Sequence, residues 1–226
     1  MISIIIPTLN EAGELPATLR RAQEVLEVRE IIVVDAGSSD GTDELATQVG
    51  CRLLRARPSR GGQMRAGAAA AKSEIVLLLH ADTWLPPDAG QAVVACLNNP
   101  RIVGGGFWKV FRERNLLLRG SRFRCAIRFY LGGRFMGDQG IFARRQVLEA
   151  AGGVPDIPLM EEFELCRRLR RLGKLALANA TVQTSARRFA RLGVPRTYAR
   201  MWWVTLRYYL GAKPEELSRI YHKDWP

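Results

Sequence analysis

Short apolar runs rich in β-branched residues alternate with helical patterns over the first hundred residues of the chain. The runs ISIIIP (2–7) and EIIVVD (30–35) lack polar alternation, as expected of strands that are buried on both faces. Between them, apolar residues recur at helical spacing at Leu15, Leu19, Ala22 and Leu26. This order of strand, helix and strand predicts a parallel, doubly wound sheet with helices on both faces.

The alternation continues to about residue 100 and then becomes less regular. It predicts a helix from about Thr42, a strand at CRLLRA, a helix through GGQMRAGAAAAK and a strand at EIVLLLHAD. Further along, the patterns predict a strand near GGGFWKVF, a basic helix around 114–130, a helix over Glu161–Leu172 and another from Pro195.

No internal repeat or low-complexity linker divides these elements. We therefore expect one α/β domain over 1–190, with a regular part over about 1–100 and a less regular part over about 101–190. A helical C-terminal extension over 191–226 is expected to follow it.

The chain has a strong excess of positive charge, with 34 lysines and arginines against 22 aspartates and glutamates and a formal net charge of +12. Such an excess favours anionic partners, which include nucleic acid, an anionic membrane surface and phosphorylated small molecules. Only two histidines and four scattered cysteines are present, so no zinc site or redox motif is indicated. We expect the four thiols to be small buried apolar side chains in a reducing compartment.

The start of the sequence, MISIIIPT, lacks the charged and apolar segments of a signal peptide. No apolar run approaches the roughly 18 residues that a membrane-spanning helix needs. These features predict a cytoplasmic protein.

Two carboxylates come at the ends of apolar strands. Asp35 ends EIIVVD, and Asp82 ends EIVLLLHAD. Because ligands of an open parallel sheet bind beyond the carboxyl ends of its strands, this placement predicts a binding site at that edge. A helix cap or a solvated turn is the alternative for each of them, and Asp40 before a helix also fits an N-cap.

Five sequence motifs follow one another along the chain in this order: IIIPTLNE, VVDAGSSDGT, HADT, GDQGIFARR and MEEFEL. Together they resemble a family 2 glycosyltransferase of GT-A fold over nearly the whole chain. More narrowly, PLMEEFELCRRLRRLG and SARRF are similar to short bacterial transferases associated with radical-SAM and selenodomain gene neighbourhoods. The resemblance implies a Rossmann-like, mostly parallel central sheet with flanking helices. It also implies that the nucleotide-binding part of the domain spans about 1–100 and the acceptor part about 101–190.

The resemblance also implies which residues bind the donor nucleotide. Asp35 matches the carboxylate that accepts hydrogen bonds from the base, and Asp40 supports the same loop. Ala36 stands where the family usually has a second acidic residue, and uridine is the first choice of base. The first nucleotide-contacting segment of the family is matched by Pro7, Thr8 and Glu11.

Asp82 of HADT matches the metal-binding end of the family's DxD motif, which implies a divalent ion, Mg²⁺ or Mn²⁺, bound together with the donor's phosphates. His80 replaces the first aspartate of that motif. The alternatives for His80 are a contact with the ribose of the donor and structural packing. Arg60 and the glycines after it precede a helix start and indicate a phosphate neighbourhood, with a solvated basic loop as the alternative.

The resemblance implies that the family's catalytic base corresponds to one of the pair Glu161 and Glu162. Independently, Glu162 shares an apolar helical stripe with Leu165, Cys166 and Leu169, which predicts a buried carboxylate with a raised pKa that can accept a proton from an acceptor hydroxyl. Glu161 stays an alternative base. On the acceptor and diphosphate side, the family positions match Asp138, Arg187 and Arg188, each with a structural salt bridge as the alternative.

These observations predict a metal-dependent inverting glycosyltransferase that uses a nucleotide-sugar donor and an acceptor that the sequence does not identify. One rival is a sugar nucleotidyltransferase, whose glycine-rich GGxGTR-like opening the sequence lacks. A second is a basic nucleic-acid binder, which the acidic residues at the strand ends argue against, since a phosphate backbone would be repelled. We expect no nucleic acid partner.

The helix from Pro195 combines arginines with Trp202, Trp203, Tyr208 and Tyr209. Such a composition suits a lipid headgroup boundary, so a peripheral contact at the inner face of the membrane is one interpretation. Packing of these aromatic rings over the acceptor cleft is the favoured alternative.

Overall fold

The β-branched runs of the first hundred residues form the parallel half of an eight-stranded sheet. The computed structural model describes residues 1–223. The strands are β1 (Ile2–Thr8), β2 (Val28–Asp35), β3 (Arg52–Arg55), β4 (Ile75–Leu78), β5 (Thr83–Trp84), β6 (Ile102–Phe111), β7 (Ile141–Arg144) and β8 (Lys174–Thr184). Their order across the sheet is β3-β2-β1-β4-β7-β6-β8-β5.

Ten α-helices cover this sheet within residues 1–223. They are α1 (Leu15–Gln23), α2 (Thr42–Gln48), α3 (Arg60–Ala70), α4 (Ala89–Leu97), α5 (Ser121–Gly132), α6 (Arg145–Ala150), α7 (Glu161–Leu172), α8 (Arg187–Leu192), α9 (Val194–Tyr209) and α10 (Pro214–His222). Two short 3-10 turns lie at Leu116–Leu118 and Gly137–Gln139.

Strand β1 shows why its sequence has no polar alternation. Ile4 and Ile6 lie in an apolar cluster with α1 and α4, whereas Ile5 lies in a second cluster with α3 and α7 on the opposite face. Both faces of the strand are therefore buried. The expectation of a doubly wound α/β domain is confirmed in this half, where β1 pairs in parallel with β2 and β4, and β2 with β3.

The second half of the sheet is mixed. Strand β7 runs antiparallel to both β4 and β6, β5 runs antiparallel to β8, and β6 and β8 are parallel. Parallel pairing thus holds for four of the seven strand pairs. The antiparallel pairing in this half comes from β5, β7 and β8. The sequence patterns did not indicate β8, which is the longest strand of the sheet.

Two further expectations need correction. The basic helix around 114–130 begins only at Ser121, because Gly120 takes the left-handed conformation at φ 77° and separates α5 from the preceding 3-10 turn. All four cysteines are free thiols, but only Cys125 and Cys166 are buried. Cys51 and Cys96 are half-buried and pack against the apolar cluster that includes α1 and α4.

The C-terminal helices pack directly on the domain. The boundary expected after residue 190 falls inside α8, where the Phe189 ring packs against Phe111 of β6 and Tyr198 of α9. Leu217 of α10 is fully buried in a cluster with Phe163 of α7. Within residues 1–223 no helix is both long enough and apolar enough to cross a membrane.

Helix α3 lies so close to the sheet that one of its positions accepts only glycine. A Cβ on Gly67 would stand 2.3 Å from Ile5 Cγ2 and 2.9 Å from Val34 Cγ2. We expect Gly67→Ala to lower the free energy of unfolding by about 1–3 kcal/mol through overpacking, although alanine favours helices over glycine. Denaturant unfolding measures this. Gly13→Ala, where a Cβ would meet no atom within 4 Å, is the control, and equal stability of the two variants would contradict the packing argument.

Candidate active site

The loops after β1 and β2 are tied together at the carboxyl edge of the sheet by Asp35. Its carboxylate accepts hydrogen bonds from Thr8 Oγ1 at 2.9 Å, from the backbone N–H groups of Gly37 and Ser38 at 2.8 Å each, and from Ser38 Oγ at 2.5 Å. Burial opposes ionisation, but these hydrogen bonds hold the pKa of Asp35 below its usual range. With 1% of its surface exposed, Asp35 shapes this loop, and its contact with a nucleotide base stays a prediction.

Asp40 extends the same arrangement to the loop after β1. Its Oδ2 accepts from the backbone N–H of Ala12 at 3.0 Å, and its Oδ1 accepts from Thr42 N–H at 3.2 Å at the start of α2. Asp40 therefore binds the first N–H group of α2 from the position before the N-cap residue Gly41, and it also joins the two loops. Pro7 and Thr8, by contrast, are buried inside β1.

We expect Asp35→Ala to lower the free energy of unfolding by about 1–3 kcal/mol, because several hydrogen bonds to a buried carboxylate are lost together. Nucleotide affinity should fall as well, since the loop loses its anchor. Denaturant unfolding and calorimetric titration with uridine diphosphate measure the two effects. Asp88→Ala is the control, because Asp88 precedes α4 without making a side-chain cap. An unchanged stability for Asp35→Ala would contradict the anchoring role.

Asp82, Glu11 and Arg187 meet beyond the end of β4. Arg187 Nη2 lies 2.5 Å from Glu11 Oε1 and 3.6 Å from Asp82 Oδ2. Burial and the negative charges of Glu11 and Asp138 raise the pKa of Asp82 to about 6, although Arg187 opposes the rise. The structure thus brings together a residue predicted for the nucleotide, one for the metal and one for the diphosphate, although Glu11 and Arg187 lie 176 residues apart.

Asp82 fits one ligand of a divalent cation. The contacts of its carboxylate are long, at 3.4 Å from Thr83 Oγ1 and 3.6 Å from Arg187 Nη2, so neither is a strong hydrogen bond. The carboxylate oxygens also lie in a negative environment, and divalent cations of this kind prefer such oxygen ligands. Within residues 1–223 no group of three or more acidic, histidine or cysteine side chains could hold a metal ion. A cation at Asp82 would therefore need phosphate oxygens and water as its other ligands.

His80 faces inward, toward the acidic pair. Its buried Nε2 atom has no hydrogen-bond partner within residues 1–223 and would stand 2.2 Å from a Cβ on Gly137. Burial and the charge of Arg60 lower the pKa of His80 to about 4, against the effect of Glu162. The imidazole is therefore neutral at pH 7, and this placement favours the packing alternative over a contact with the ribose.

The two glutamates begin α7, and Arg60 at the start of α3 contacts both. Glu161 is fully buried, and its Oε1 accepts a hydrogen bond from Arg60 Nε. Glu162 is 8% exposed, and its Oε1 accepts from Arg60 Nη2 at 3.2 Å and from the backbone N–H of Gly137 at 3.1 Å. Burial and the charge of Glu161 raise the pKa of Glu162, although Arg60 opposes the rise. The predicted burial and raised pKa of Glu162 are thus found.

Arg60 has partners that the sequence interpretation did not include, while its predicted place near a phosphate stays a prediction. Its guanidinium pairs with the two glutamates, and this pairing raises its pKa, although burial opposes the rise. The interpretation as a phosphate neighbour missed this pair because its members are 101 residues apart in the chain.

The residue before the acidic pair has an unusual backbone. Met160 adopts φ 65°, in the left-handed region that costs a non-glycine residue about 1–2 kcal/mol. This conformation turns the chain into α7 so that both glutamates lie in its first turn. Such local strain is typical of functional sites.

A cavity of about 500 Å³ lies between α5 and α9, next to the acidic pair. Met136 and Phe163, the chain neighbours of Gly137 and Glu162, form part of its wall. Lys109 on β6 also lines it and pairs with Asp138, with 2.5 Å between Nζ and Oδ2. The charge of Lys109 outweighs burial and lowers the pKa of Asp138.

The cavity is basic as well as aromatic. Its wall includes Arg124, Arg128 and Arg134, and within residues 1–223 none of them forms a salt bridge with a carboxylate. The guanidinium of Arg124 lies 4.9 Å from the ring centroid of Tyr198, and that of Arg134 lies 5.4 Å from that of Phe163. This is an apolar pocket with positive charge that acidic side chains do not neutralise.

The end of α10 lies close to Arg60 and the acidic pair. Arg188 stacks on Tyr221, 3.7 Å from the ring centroid, and also donates a hydrogen bond to the Tyr221 carbonyl oxygen. Burial raises the pKa of the Tyr221 phenol, against the charges of Arg188 and Arg60. Sequence reasoning missed Tyr221 and Lys109, because neither has a local pattern and their partners come from distant parts of the chain.

Comparisons with known proteins agree with this geometry. The sequence model described as Glycosyl transferase family 2 matches residues 3–150. A similar curated protein is the undecaprenyl-phosphate 4-deoxy-4-formamido-L-arabinose transferase of Aeromonas hydrophila, which is 33% identical over 117 residues. That match covers 46% of this chain and 36% of the relative, so the chain spans about a third of the relative's length.

Similar solved structures are glycosyltransferases. A mannosyltransferase from Pyrobaculum calidifontis, solved with GDP-Man and Mn²⁺, has a TM-score of 0.67 at 19% identity and covers 99% of this chain and 68% of its own. Glucosyl-3-phosphoglycerate synthase from Mycobacterium tuberculosis, solved with Mn²⁺ and UDP-Glc, has a TM-score of 0.61 at 24% identity and covers 82% of this chain and 70% of its own. The expectation of a GT-A fold is confirmed, while the narrower resemblance to radical-SAM-associated transferases stays a prediction.

Proposed function

The chain belongs to glycosyl transferase family 2, and on this basis we propose that it is a metal-dependent, inverting glycosyltransferase of the hexosyltransferase type. It moves a sugar from a nucleotide-sugar, with a uridine-diphosphate sugar as the proposed donor, to a hydroxyl group of the acceptor. The observation that carries this proposal is that two features lie next to Gly137. One is the buried carboxylate of Glu162, which accepts a hydrogen bond from Gly137 N–H, and the other is the basic cavity that the neighbouring residue Met136 lines.

Glu162 is the proposed catalytic base. Its Oε1 is held by Gly137 and Arg60, which leaves Oε2 to accept the proton of an acceptor hydroxyl as that oxygen attacks the sugar. Its raised pKa supports this role, because a base must bind the proton that it removes. Glu161 is the weaker candidate, since it is fully buried and bound to Arg60.

The donor's diphosphate is proposed to lie between Asp82 and Arg187. Asp82 would hold a divalent cation, Mg²⁺ or Mn²⁺, which when bound neutralises charge on the departing nucleoside diphosphate. Arg187 is close enough to Asp82 to reach the same phosphates, and Arg188 with Tyr221 closes the neighbouring side. The nucleoside would occupy the loops that Asp35 and Asp40 organise.

The acceptor is proposed to be an anionic amphiphile that carries a hydroxyl group. The cavity between α5 and α9 supports this, because apolar side chains line it together with arginines that have no acidic partner within residues 1–223. The Aeromonas relative is named for undecaprenyl phosphate, a lipid-linked anion. A peripheral contact with the inner face of the membrane and a cytoplasmic location, which four free thiols suit, belong to the same proposal.

A panel of sugar nucleotides, each with and without Mn²⁺, tests the donor by thermal shift. A true donor stabilises the folded state by mass action, and we expect the largest shift with a uridine-diphosphate sugar in the presence of metal. Release of nucleoside diphosphate from the donor would separate transfer from the nucleotidyltransferase alternative, which releases pyrophosphate from a nucleoside triphosphate. Tight RNA or DNA binding without any sugar-nucleotide shift would overturn the proposal.

A further inference from the structure

Exposed apolar side chains concentrate on α5, on the 3-10 turn before it and on α9. Six of them lie on the 3-10 turn at Leu116–Leu118 and on α5, and four on α9 and the residue after it, with exposed fractions from 43% to 85%. They are Leu116, Leu117, Phe123, Ile127, Tyr130, Leu131, Trp202, Trp203, Tyr209 and Leu210. We call this set the aromatic face. Exposed apolar side chains grouped on neighbouring elements in this way are typical of an interaction site.

The same face is strongly basic. From Arg114 to Gly137 the sequence has six arginines and no aspartate or glutamate. Arg114, Arg119 and Arg122 are exposed, beside the apolar side chains of the aromatic face. Leucine, phenylalanine and tryptophan together with arginine are the composition of surfaces that insert into the boundary between lipid headgroups and acyl chains.

The mouth of the cavity opens on this face. Ile127, Leu131 and Trp202 belong to the aromatic face and also line the cavity, while the inner wall reaches Phe163 beside Glu162. An acceptor that enters from this face would therefore pass apolar side chains first and meet Arg128, Arg134 and Lys109 inside. That order suits an amphiphile drawn from a lipid layer.

We propose that α5, the 3-10 turn before it and α9 dock the protein on an anionic bilayer, with the cavity mouth against the lipid. Docking on a bilayer does not itself depend on the proposed function. Only its purpose, access to a lipid-borne acceptor, rests on that function. Charge complementarity commits the surface to anionic lipid, because unneutralised arginines attract headgroup phosphates and the apolar side chains gain by leaving water. Nucleic acid would use the arginines and leave the apolar side chains exposed.

Co-sedimentation with vesicles tests this. The parent chain should bind vesicles of phosphatidylglycerol with phosphatidylcholine, and bind pure phosphatidylcholine far less. The double variant Phe123→Ser, Tyr130→Ser should lower the partition coefficient about tenfold or more, because two apolar anchors are lost. Arg119→Gln with Arg122→Gln should lower it by about tenfold on anionic vesicles only.

The matched control is Leu26→Ser with Val49→Ser, which removes two exposed apolar side chains near the β2 and β3 edge of the sheet. It should leave vesicle binding unchanged. Failure of the parent to bind anionic vesicles, equal losses in the control and test variants, or binding of RNA in place of vesicles would each overturn the proposal.

The same variants separate docking from the proposed function. None of the four substituted residues in the test variants lines the cavity, so the thermal shift with a sugar nucleotide and metal should stay at the parent value. Vesicle binding without any sugar-nucleotide shift would leave docking intact and remove the transferase proposal, and the opposite result would do the reverse. Circular dichroism on each variant shows that it is folded.

Discussion

Glu162→Gln is expected to lower the rate of the proposed sugar transfer to a hydroxyl acceptor by about a thousandfold, which lies within the range that general bases contribute. Glutamine keeps the shape of the side chain and an oxygen that can accept from Gly137 N–H, but its amide cannot take a proton from the acceptor. Donor affinity should stay within about twofold, because the substituted group does not contact the nucleotide loops. Release of nucleoside diphosphate gives the rate, and calorimetric titration gives the affinity.

Glu164→Gln provides the control on the same helix. Glu164 pairs with Arg167 and Arg168 on the outer side of α7, so its loss should leave the rate close to that of the parent. A rate for Glu162→Gln within a few fold of the parent would remove the residue as base. That result would favour a phosphate oxygen as the nucleophile, since a phosphate needs no base to deprotonate it at neutral pH.

The pH dependence of the parent follows from the same carboxylate. Because burial and Glu161 raise the pKa of Glu162, its carboxyl becomes protonated at a higher pH than an ordinary glutamate. We therefore expect kcat/KM to fall as pH falls through that raised value, and the acid limb to disappear from the residual activity of Glu162→Gln.

Arg60→Met is expected to lower the free energy of unfolding by about 3–5 kcal/mol, since it leaves Glu161 as a fully buried carboxylate without its cationic partner. The double variant Arg60→Met, Glu161→Met should recover most of that loss, because replacing both members by apolar side chains removes the buried charge. Denaturant unfolding at neutral pH measures both.

Arg55→Met is the control for this pair. Arg55 is largely exposed in its pair with Asp43, so the loss should be less than about 1 kcal/mol. A stability of Arg60→Met equal to that of Arg55→Met would show that Glu161 finds another partner or is neutral when Arg60 is absent. Failure of the double variant to recover stability would argue that Glu162 also depends on Arg60.

The sequence predicted the parts of the fold whose signal is local. The buried strands β1, β2 and β4 follow from runs of β-branched residues, and α7 follows from its apolar stripe with the bounds Glu161–Leu172. The burial of Glu162 came from the same stripe. These elements could be predicted because their hydrophobic pattern and their buried face coincide.

Other features depend on partners that are distant in sequence. Strand β8 combines alanine and leucine with asparagine and threonine, so its pattern favours neither strand nor helix, and its long pairing with β6 decides its structure. Lys109 is 5% exposed, which its residue type does not suggest, because Asp138 neutralises it. The pairing of Arg60 with the two glutamates is invisible for the same reason.

Arg187 already lies beside two carboxylates, those of Glu11 and Asp82, so the site proposed for the donor contains its own counter-ions. Arrival of a diphosphate is then an exchange of partners: Arg187 turns from carboxylate to phosphate, and the carboxylates that it leaves need a new cation. A nucleotide alone would leave Asp82 and Glu11 facing its negative charge, whereas a metal alone would face Arg187. We therefore expect the two to bind synergistically, each raising the affinity for the other by the same factor.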